Sequence, residues 1–144
     1  MKLLILIFCT LIFSGLHGQE INQDINTITI KGVSFNQIIN HLQKSGYSIE
    51  TLDNKRKTVR TKFFRYSSKT SSLDISIKVQ FHDSIAVITG RMCYNFRNNG
   101  KDTLPDLARS QPVRYTYGSY KEAFLLMNDF AKSFNSEMIY SKSD

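Results

Sequence analysis

Residues 73–82 read LDISIKVQFH, and this stretch decides the fold. Apolar side chains occupy every second position from Leu73 to Phe81, while polar and charged side chains fill the positions between them. Successive residues of a strand point to opposite faces of a sheet. The sequence therefore predicts an antiparallel strand with one buried face and one solvent-exposed face.

Further strands are predicted on both sides of this stretch. They cover residues 25–30, 47–52, 57–66, 85–96 and 113–117. The segments 47–52 and 57–66 form a predicted hairpin, and 85–96 is the predicted partner of 73–82, with Val79 facing Ile88. Residues 98–100 read NNG, a strong turn signal, and residues 101–112 hold both prolines and are predicted to form an irregular loop.

Two helices are predicted from capping signals and apolar periodicity. Residues 34–37 form a capping box, and Gly46 is placed to end the helix that follows. A second box at residues 119–122 opens a helix that is predicted to run over residues 120–138. Each helix has an apolar stripe at helical spacing, so each is expected to bury one side against the core.

The order of the predicted elements is strand, helix, four strands, helix. Hairpins segregated from helices are typical of the α+β class. The sequence therefore predicts a two-layer α+β domain, with an antiparallel sheet of about five strands and both helices on one face. The opposite face of the sheet is expected to be uncovered, unless a partner or a second copy of the chain binds there.

Residues 28–34 read ITIKGVS and lead from a strand through a glycine into a capped helix. This succession resembles the start of a family of small exported bacterial domains of unknown function with a TATA-binding-protein-like fold. The resemblance spans roughly residues 28–134 and implies the order of the elements. It implies no catalytic residue, and it does not imply DNA binding, since one fold hosts many functions.

Residues 1–18 have the pattern of a secretory signal peptide. Lys2 is followed by an apolar core of about 11 residues, whereas a membrane span needs about 20. We therefore predict a signal peptide at 1–18 and a single domain at 19–144, with cleavage after Gly15 as an alternative. The exported protein is expected in the periplasm or outside the cell. A lipoprotein is not predicted, because Cys9 follows the bulky Phe8.

The remaining sequence offers little for catalysis or metal binding. Beyond the predicted signal peptide there is one cysteine, Cys93, and two histidines, His41 and His82, without ligand spacing between them. No catalytic residue, metal site or cofactor is predicted. Cys93 is interpreted either as an idle thiol or as the site of an intermolecular disulfide.

The chain is basic, with 19 Lys and Arg against 12 Asp and Glu, and no acidic residue interrupts residues 54–72. Alternation along 57–66 is expected to turn cations and rings to the uncovered face, where they suit an anionic partner. The predicted binding residues are Lys55, Arg56, Lys57, Arg60, Lys62, Phe64, Arg65 and Tyr66. A second interpretation of the same cations is a solvated edge strand that resists aggregation.

These patterns favour an exported, non-catalytic binding or accessory module of the cell envelope. Its partner would be an anionic envelope component, such as a lipid headgroup or an acidic polysaccharide, or an acidic protein surface. Nucleic acid is not expected because the protein is exported. Two alternatives stay open: a small exported hydrolase with a dispersed site, and a homodimeric structural protein that buries the uncovered face.

Overall fold

A computed structural model of the chain describes residues 23–67, 72–94, 97–98, 101–102 and 105–143. The predicted signal peptide at 1–18 lies outside the described residues. The helices are α1 (Phe35–Lys44) and α2 (Gly118–Lys132). The strands are β1 (Thr27–Lys31), β2 (Ile49–Asp53), β3 (Thr58–Thr61), β4 (Phe64–Ser67), β5 (Ser72–His82), β6 (Ile85–Tyr94), β7 (Arg97–Asn98), β8 (Lys101–Asp102), β9 (Gln111–Pro112) and β10 (Met138–Ser141).

The long hairpin of β5 and β6 forms the centre of the sheet. Val79 lies opposite Ile88 and Ile75 opposite Met92, which confirms the predicted register. The apolar set of β5 is buried, with Leu73, Ile75 and Val79 at 0% exposure. The α+β class, the antiparallel sheet and the presence of two helices are therefore confirmed.

The number of strands was predicted wrongly. Among the described residues, eight strands form one sheet in the order β10-β1-β6-β5-β3-β2, with β4 beside β5 and β9 beside β6. A separate two-stranded sheet joins β7 to β8. The extra strands arise because β5 and β6 are 11 and 10 residues long, and each edge of this hairpin is covered by two shorter segments. Strands of two to five residues are too short to give a clear alternation.

Helix α1 begins and ends as its sequence predicts. The Ser34 hydroxyl accepts a hydrogen bond from the Gln37 N–H at 3.2 Å, and the Ser34 N–H donates to Gln37 Oε1 at 2.7 Å. Gly46 has a φ of 80°, a left-handed conformation that favours glycine after a helix. The buried side chains of the helix are Phe35, Ile38 and Leu42.

Helix α2 differs from its prediction at both ends. Its N-cap is Tyr117, with no side-chain capping bond, so the predicted box of Ser119 and Glu122 is wrong. It ends at Lys132 rather than near residue 138. The chain then turns through Asn135, at a φ of 49°, and returns as β10 along β1. The predicted order of elements is therefore corrected, because a strand follows the second helix.

Ring contacts join α1 to α2 and to β5. The His41 ring of α1 lies 5.6 Å from the Phe130 ring of α2, and Phe35 meets Phe81 of β5 edge-on at 5.5 Å. Under α2, a Cβ atom on Gly90 would lie 2.9 Å from Val113 Cγ2 and 3.2 Å from Met127 Sδ. Glycine at this position of β6 therefore permits the close approach of α2. No helix within the described part of the chain has the length and apolarity needed to cross a membrane.

Candidate anion-binding face

The alternate residues of β3, β5 and β6 that point away from the apolar core form a surface that we name the polar face. Arg60 of β3 lies directly opposite Lys78 of β5, and Lys78 lies opposite Thr89 of β6. Ser76 and Arg91 form the neighbouring pair. Because paired strands are about 4.8 Å apart, these side chains stand side by side.

A shallow cavity of about 310 Å³ opens on the polar face, and we name it the cationic depression. Its lining residues are Asn26, Arg60, Ser76, Lys78, Thr89, Gly90, Arg91, Pro112, Arg114 and Ser143. Four of these residues are cations, and no acidic residue is among them. The cations come from β3, β5, β6 and the segment after β9, so the fold gathers them from distant parts of the sequence.

The charges of the cationic depression are not matched by salt bridges within the described residues. Ion pairs in that part of the chain are Lys31–Glu137, Arg56–Asp53, Arg65–Asp74 and Lys142–Asp24. None includes Arg60, Lys78, Arg91 or Arg114. Like charges directly opposite each other on a sheet are destabilising. The pair Arg60–Lys78 therefore favours the arrival of an anion between its two side chains.

Arg91 is fixed in place by the loop that precedes β9. Its Nε donates to Ser110 Oγ at 2.6 Å, and its Nη2 donates to the carbonyl oxygens of Leu107 and Ser110. These bonds hold the guanidinium at the side of the cationic depression. They also place the loop over one end of the polar face, so the loop covers that end of the face.

The segment after β9 supplies one wall of the cationic depression. Val113 is buried at 0% exposure, and its N–H donates to the Gly90 carbonyl at 2.9 Å. Its neighbours Pro112 and Arg114 consequently point to the polar face and line the depression. The predicted edge strand at 113–117 is therefore corrected: only Gln111–Pro112 pairs with β6, and Tyr115 makes an isolated bridge to Ile25.

Hydrogen bonds between Asn26 and Ser143 close another side of the depression. The Asn26 amide donates to the Ser143 carbonyl at 3.0 Å, and the Ser143 N–H donates back to Asn26 Oδ1 at 2.8 Å. Thr27 Oγ1 joins this network through Ser143 Oγ at 3.1 Å. The depression therefore offers neutral hydrogen-bonding groups beside its cations.

A bulge between β3 and β4 changes which predicted residues reach the polar face. Arg60 pairs with Lys78 and Phe64 with Ile75, so three residues on one strand oppose two on β5. One extra residue reverses the alternation of every residue after it. Phe64 and Tyr66 consequently pack against the apolar core, and their predicted place in an uncovered aromatic stripe is wrong.

The other predicted binding residues are distributed over several surfaces. Arg65 lies on the polar face, where its Nε is 3.3 Å from the buried Asp74 carboxylate. The exposed Lys55 and Arg56 lie in the turn between β2 and β3. Lys57 Nζ lies 5.4 Å from the centre of the Phe35 ring, towards α1, and Lys62 is exposed in the bulge. Arg60 is the one predicted residue that lines the cationic depression.

The position of β3 in the sheet tests the second interpretation of the cations in residues 54–72, which was a solvated edge strand that resists aggregation. Strand β3 pairs with β5 on one side and with β2 on the other, so it is interior to the sheet. Arg60 therefore does not lie on a solvated edge strand.

The sequence pattern did not predict three residues of the site, namely Lys78, Arg91 and Arg114. Lys78 was visible as a cation among the polar positions of residues 73–82, whereas nothing in the sequence joins Arg91 and Arg114 to it.

Cys93 lies on the polar face opposite Asp74 and is a free cysteine. Its Sγ donates a hydrogen bond to the Asp106 carbonyl oxygen at 3.6 Å. Burial raises the pKa of the Cys93 thiol, and the nearby Asp74 carboxylate raises it further. His82 lies at the other end of the hairpin, opposite Ile85, so Cys93 and His82 form no catalytic dyad.

Within the described ranges, His, Cys, Asp and Glu side chains form no cluster of three suited to a metal ion.

The chain matches no family model and no curated protein sequence.

Proposed function

We propose that this protein is an exported, non-catalytic module that binds an anionic partner through the cationic depression. Export rests on the signal-peptide pattern of residues 1–18. The proposed place of action is the periplasm or the outside of the cell. The resemblance to exported domains with a TATA-binding-protein-like fold is part of the proposal, and it agrees with an exported binding module.

The observation that carries the proposal is the meeting of four cations in one cavity whose lining contains no acidic residue. Arg60 and Lys78 are directly opposed, and Arg91 and Arg114 stand beside them. Guanidinium groups bind carboxylate, phosphate and sulfate oxygens through paired N–H donors. Since Arg91 is already held by Ser110, part of the site is organised before a ligand arrives.

The placement of the helices supports access to the site. The ring contact of α1 with the sheet is made to Phe81, and α2 lies over Gly90 and Val113, all on the apolar side. Arg60, Lys78 and Thr89 on the opposite side are partly exposed, and we propose that the helices leave this part of the polar face open to solvent. An anion can then reach the cationic depression without a change in the backbone.

Charge reversal in two places tests the proposal. One variant carries Arg60→Glu with Lys78→Glu, and the matched control carries Lys55→Glu with Arg56→Glu, which changes the net charge equally at an exposed turn. Binding of tetrapolyphosphate is measured by titration calorimetry at low salt. The first variant is expected to bind on the order of tenfold or more weakly, while the control retains most of its affinity.

The comparison of the two variants decides the outcome. An equal loss of affinity in both variants would show that binding depends on net charge alone, and it would contradict a specific site. Unchanged binding in both would also contradict the proposal. Circular dichroism and a thermal melt of each variant establish that the fold is retained.

A further inference from the structure

A second cavity, of about 470 Å³, adjoins the cationic depression, and we name it the tyrosine groove. Its lining residues are Asp24, Gln111, Pro112, Arg114, Thr116, Tyr117 and Tyr120. Pro112 and Arg114 line both cavities, so the two cavities meet at these residues. A ligand bound at the cationic depression can therefore extend past Arg114 into the tyrosine groove.

Tyr117 differs from the other residues of the tyrosine groove because it is a large aromatic residue that is 82% exposed. Large aromatic residues are usually at least partly buried, and an exposed ring beside a cavity is typical of a binding surface. The neighbouring Tyr120 is held by two contacts: its hydroxyl donates to Gln111 Oε1, and its ring lies 6.2 Å from that of Tyr94. The groove thus presents the exposed ring of Tyr117 beside the ring of Tyr120, whose position is held by its contacts.

The polar groups of the tyrosine groove suit hydroxyl groups better than anions. Asp24 contributes a carboxylate, one oxygen of which lies 4.0 Å from Lys142 Nζ, while Gln111 and Thr116 contribute an amide and a hydroxyl. A carboxylate accepts hydrogen bonds from hydroxyls but repels phosphate and sulfate. The surface is therefore divided into a cationic half and a half with aromatic rings and hydrogen-bond acceptors.

We infer that the ligand is an acidic oligosaccharide, with a carboxylate or sulfate group in the cationic depression and a sugar ring over Tyr117. The apolar face of a sugar ring packs on an aromatic ring, and its hydroxyls meet Asp24, Gln111 and Thr116. A DNA strand fits less well because its internal units carry no free hydroxyl that could donate to Asp24 or Thr116. The inference rests on the proposed function, of which it specifies the ligand.

Calorimetry with matched probes tests the inference. The probes are tetragalacturonate, its methyl ester, a sulfated heparin tetrasaccharide, tetrapolyphosphate and a thymidine tetranucleotide. The methyl ester keeps the sugar rings and removes the charges. At least one acidic saccharide is expected to bind more tightly than tetrapolyphosphate and the tetranucleotide, and the methyl ester is expected to bind on the order of tenfold or more weakly than tetragalacturonate.

Tyr117 variants separate ring packing from charge. Tyr117→Ala is expected to weaken binding of the acidic saccharide on the order of tenfold and to leave tetrapolyphosphate unchanged. Tyr117→Phe is expected to retain the saccharide affinity, since it keeps the ring. Because Tyr117 is exposed, both variants are expected to keep the fold, and a thermal melt of each establishes this.

The outcomes distinguish the inference from the proposed function. If tetrapolyphosphate binds and responds to charge reversal at Arg60 and Lys78, but no saccharide binding depends on Tyr117, the inference fails and the proposed function stands. Tighter binding of the tetranucleotide than of either acidic saccharide also overturns the inference. If no anionic probe binds, both fail.

Discussion

At the scale of single residues, Cys93 and Asp74 face each other across β5 and β6 on the polar face. Cys93 is half-buried, and burial raises the pKa of its thiol, with a further increase from the Asp74 carboxylate. A raised pKa means that the thiol keeps its proton to higher pH than an exposed cysteine does. Since the thiolate is the reactive form, Cys93 is expected to react slowly at neutral pH.

Alkylation by iodoacetamide tests this prediction. At pH 7.5 the modification of the peptide that contains Cys93, followed by mass spectrometry, is expected to be about tenfold slower in the native protein than in guanidinium. The native rate should rise with pH beyond the range in which an exposed cysteine is fully ionised. Equal rates in the two states would contradict the effect of burial. A Cys93-linked dimer on a non-reducing gel would support the alternative of an intermolecular disulfide.

At the scale of elements, the bulge between β3 and β4 decides which side chains join the core. It lets Arg60 point to the polar face while Phe64 and Tyr66, only a few residues later, point to the apolar side. The bulged segment is also bonded to β5 by side chains, since Thr61 Oγ1 accepts from the Ile77 N–H at 3.0 Å. The Ser76 hydroxyl donates to the Thr61 carbonyl at 2.8 Å.

Deletion of Lys62 tests the role of the bulge. The deletion removes the extra residue, so β4 must either turn Phe64 and Tyr66 to solvent or break its pairing with β5. We expect a loss of about 2–5 kcal/mol in the free energy of unfolding, measured by urea denaturation. The control Lys62→Ala keeps the length of the chain and is expected to change stability by less than about 0.5 kcal/mol. Equal stabilities of the two variants would show that the bulge does not set the alternation.

The same bulge shows how far the sequence determines the fold. The register of β5 with β6 and the capping of α1 follow from long periodic segments and local hydrogen bonds, and both were predicted. The phase of β4 depends on one inserted residue, which no periodicity reveals. Strand β10 was missed because four residues after a helix give too little alternation, and its pairing with β1 joins opposite ends of the described chain.

The candidate site shows the same limit. Arg60 was predicted because it belongs to a visible run of cations in the sequence. Arg91 and Arg114 reach it only through the pairing of β6 with β5 and β9. The sequence therefore indicated an anionic partner and one of the residues that line the cavity, whereas the fold defines the cavity itself.

At the scale of the whole molecule, the distribution of charge and apolar surface bears on self-association. The exposed large hydrophobic residues within the described chain are Leu52, Ile85, Tyr94, Tyr117 and Leu125. They come from β2, β6, α2 and the residue before α2, rather than from one strand or helix face. Obligate dimers bury large and mainly apolar surfaces. This arrangement favours a monomer over a homodimer that buries the polar face.

Sedimentation velocity tests the oligomeric state. A two-fold axis through the polar face would bring the cationic depression of one copy against that of the other, because such an axis pairs each surface with itself. Four cations on each side would then repel across a partly desolvated interface, and the repulsion is strongest at low salt. We therefore expect a single species with the mass of one chain at about 20 mM salt, where the Debye length exceeds 10 Å. The variant Arg60→Glu with Lys78→Glu is the matched comparison. A dimer of the unaltered protein would contradict this prediction. A change of its dissociation constant in the variant would place the polar face in the subunit interface and would favour the structural alternative over ligand binding.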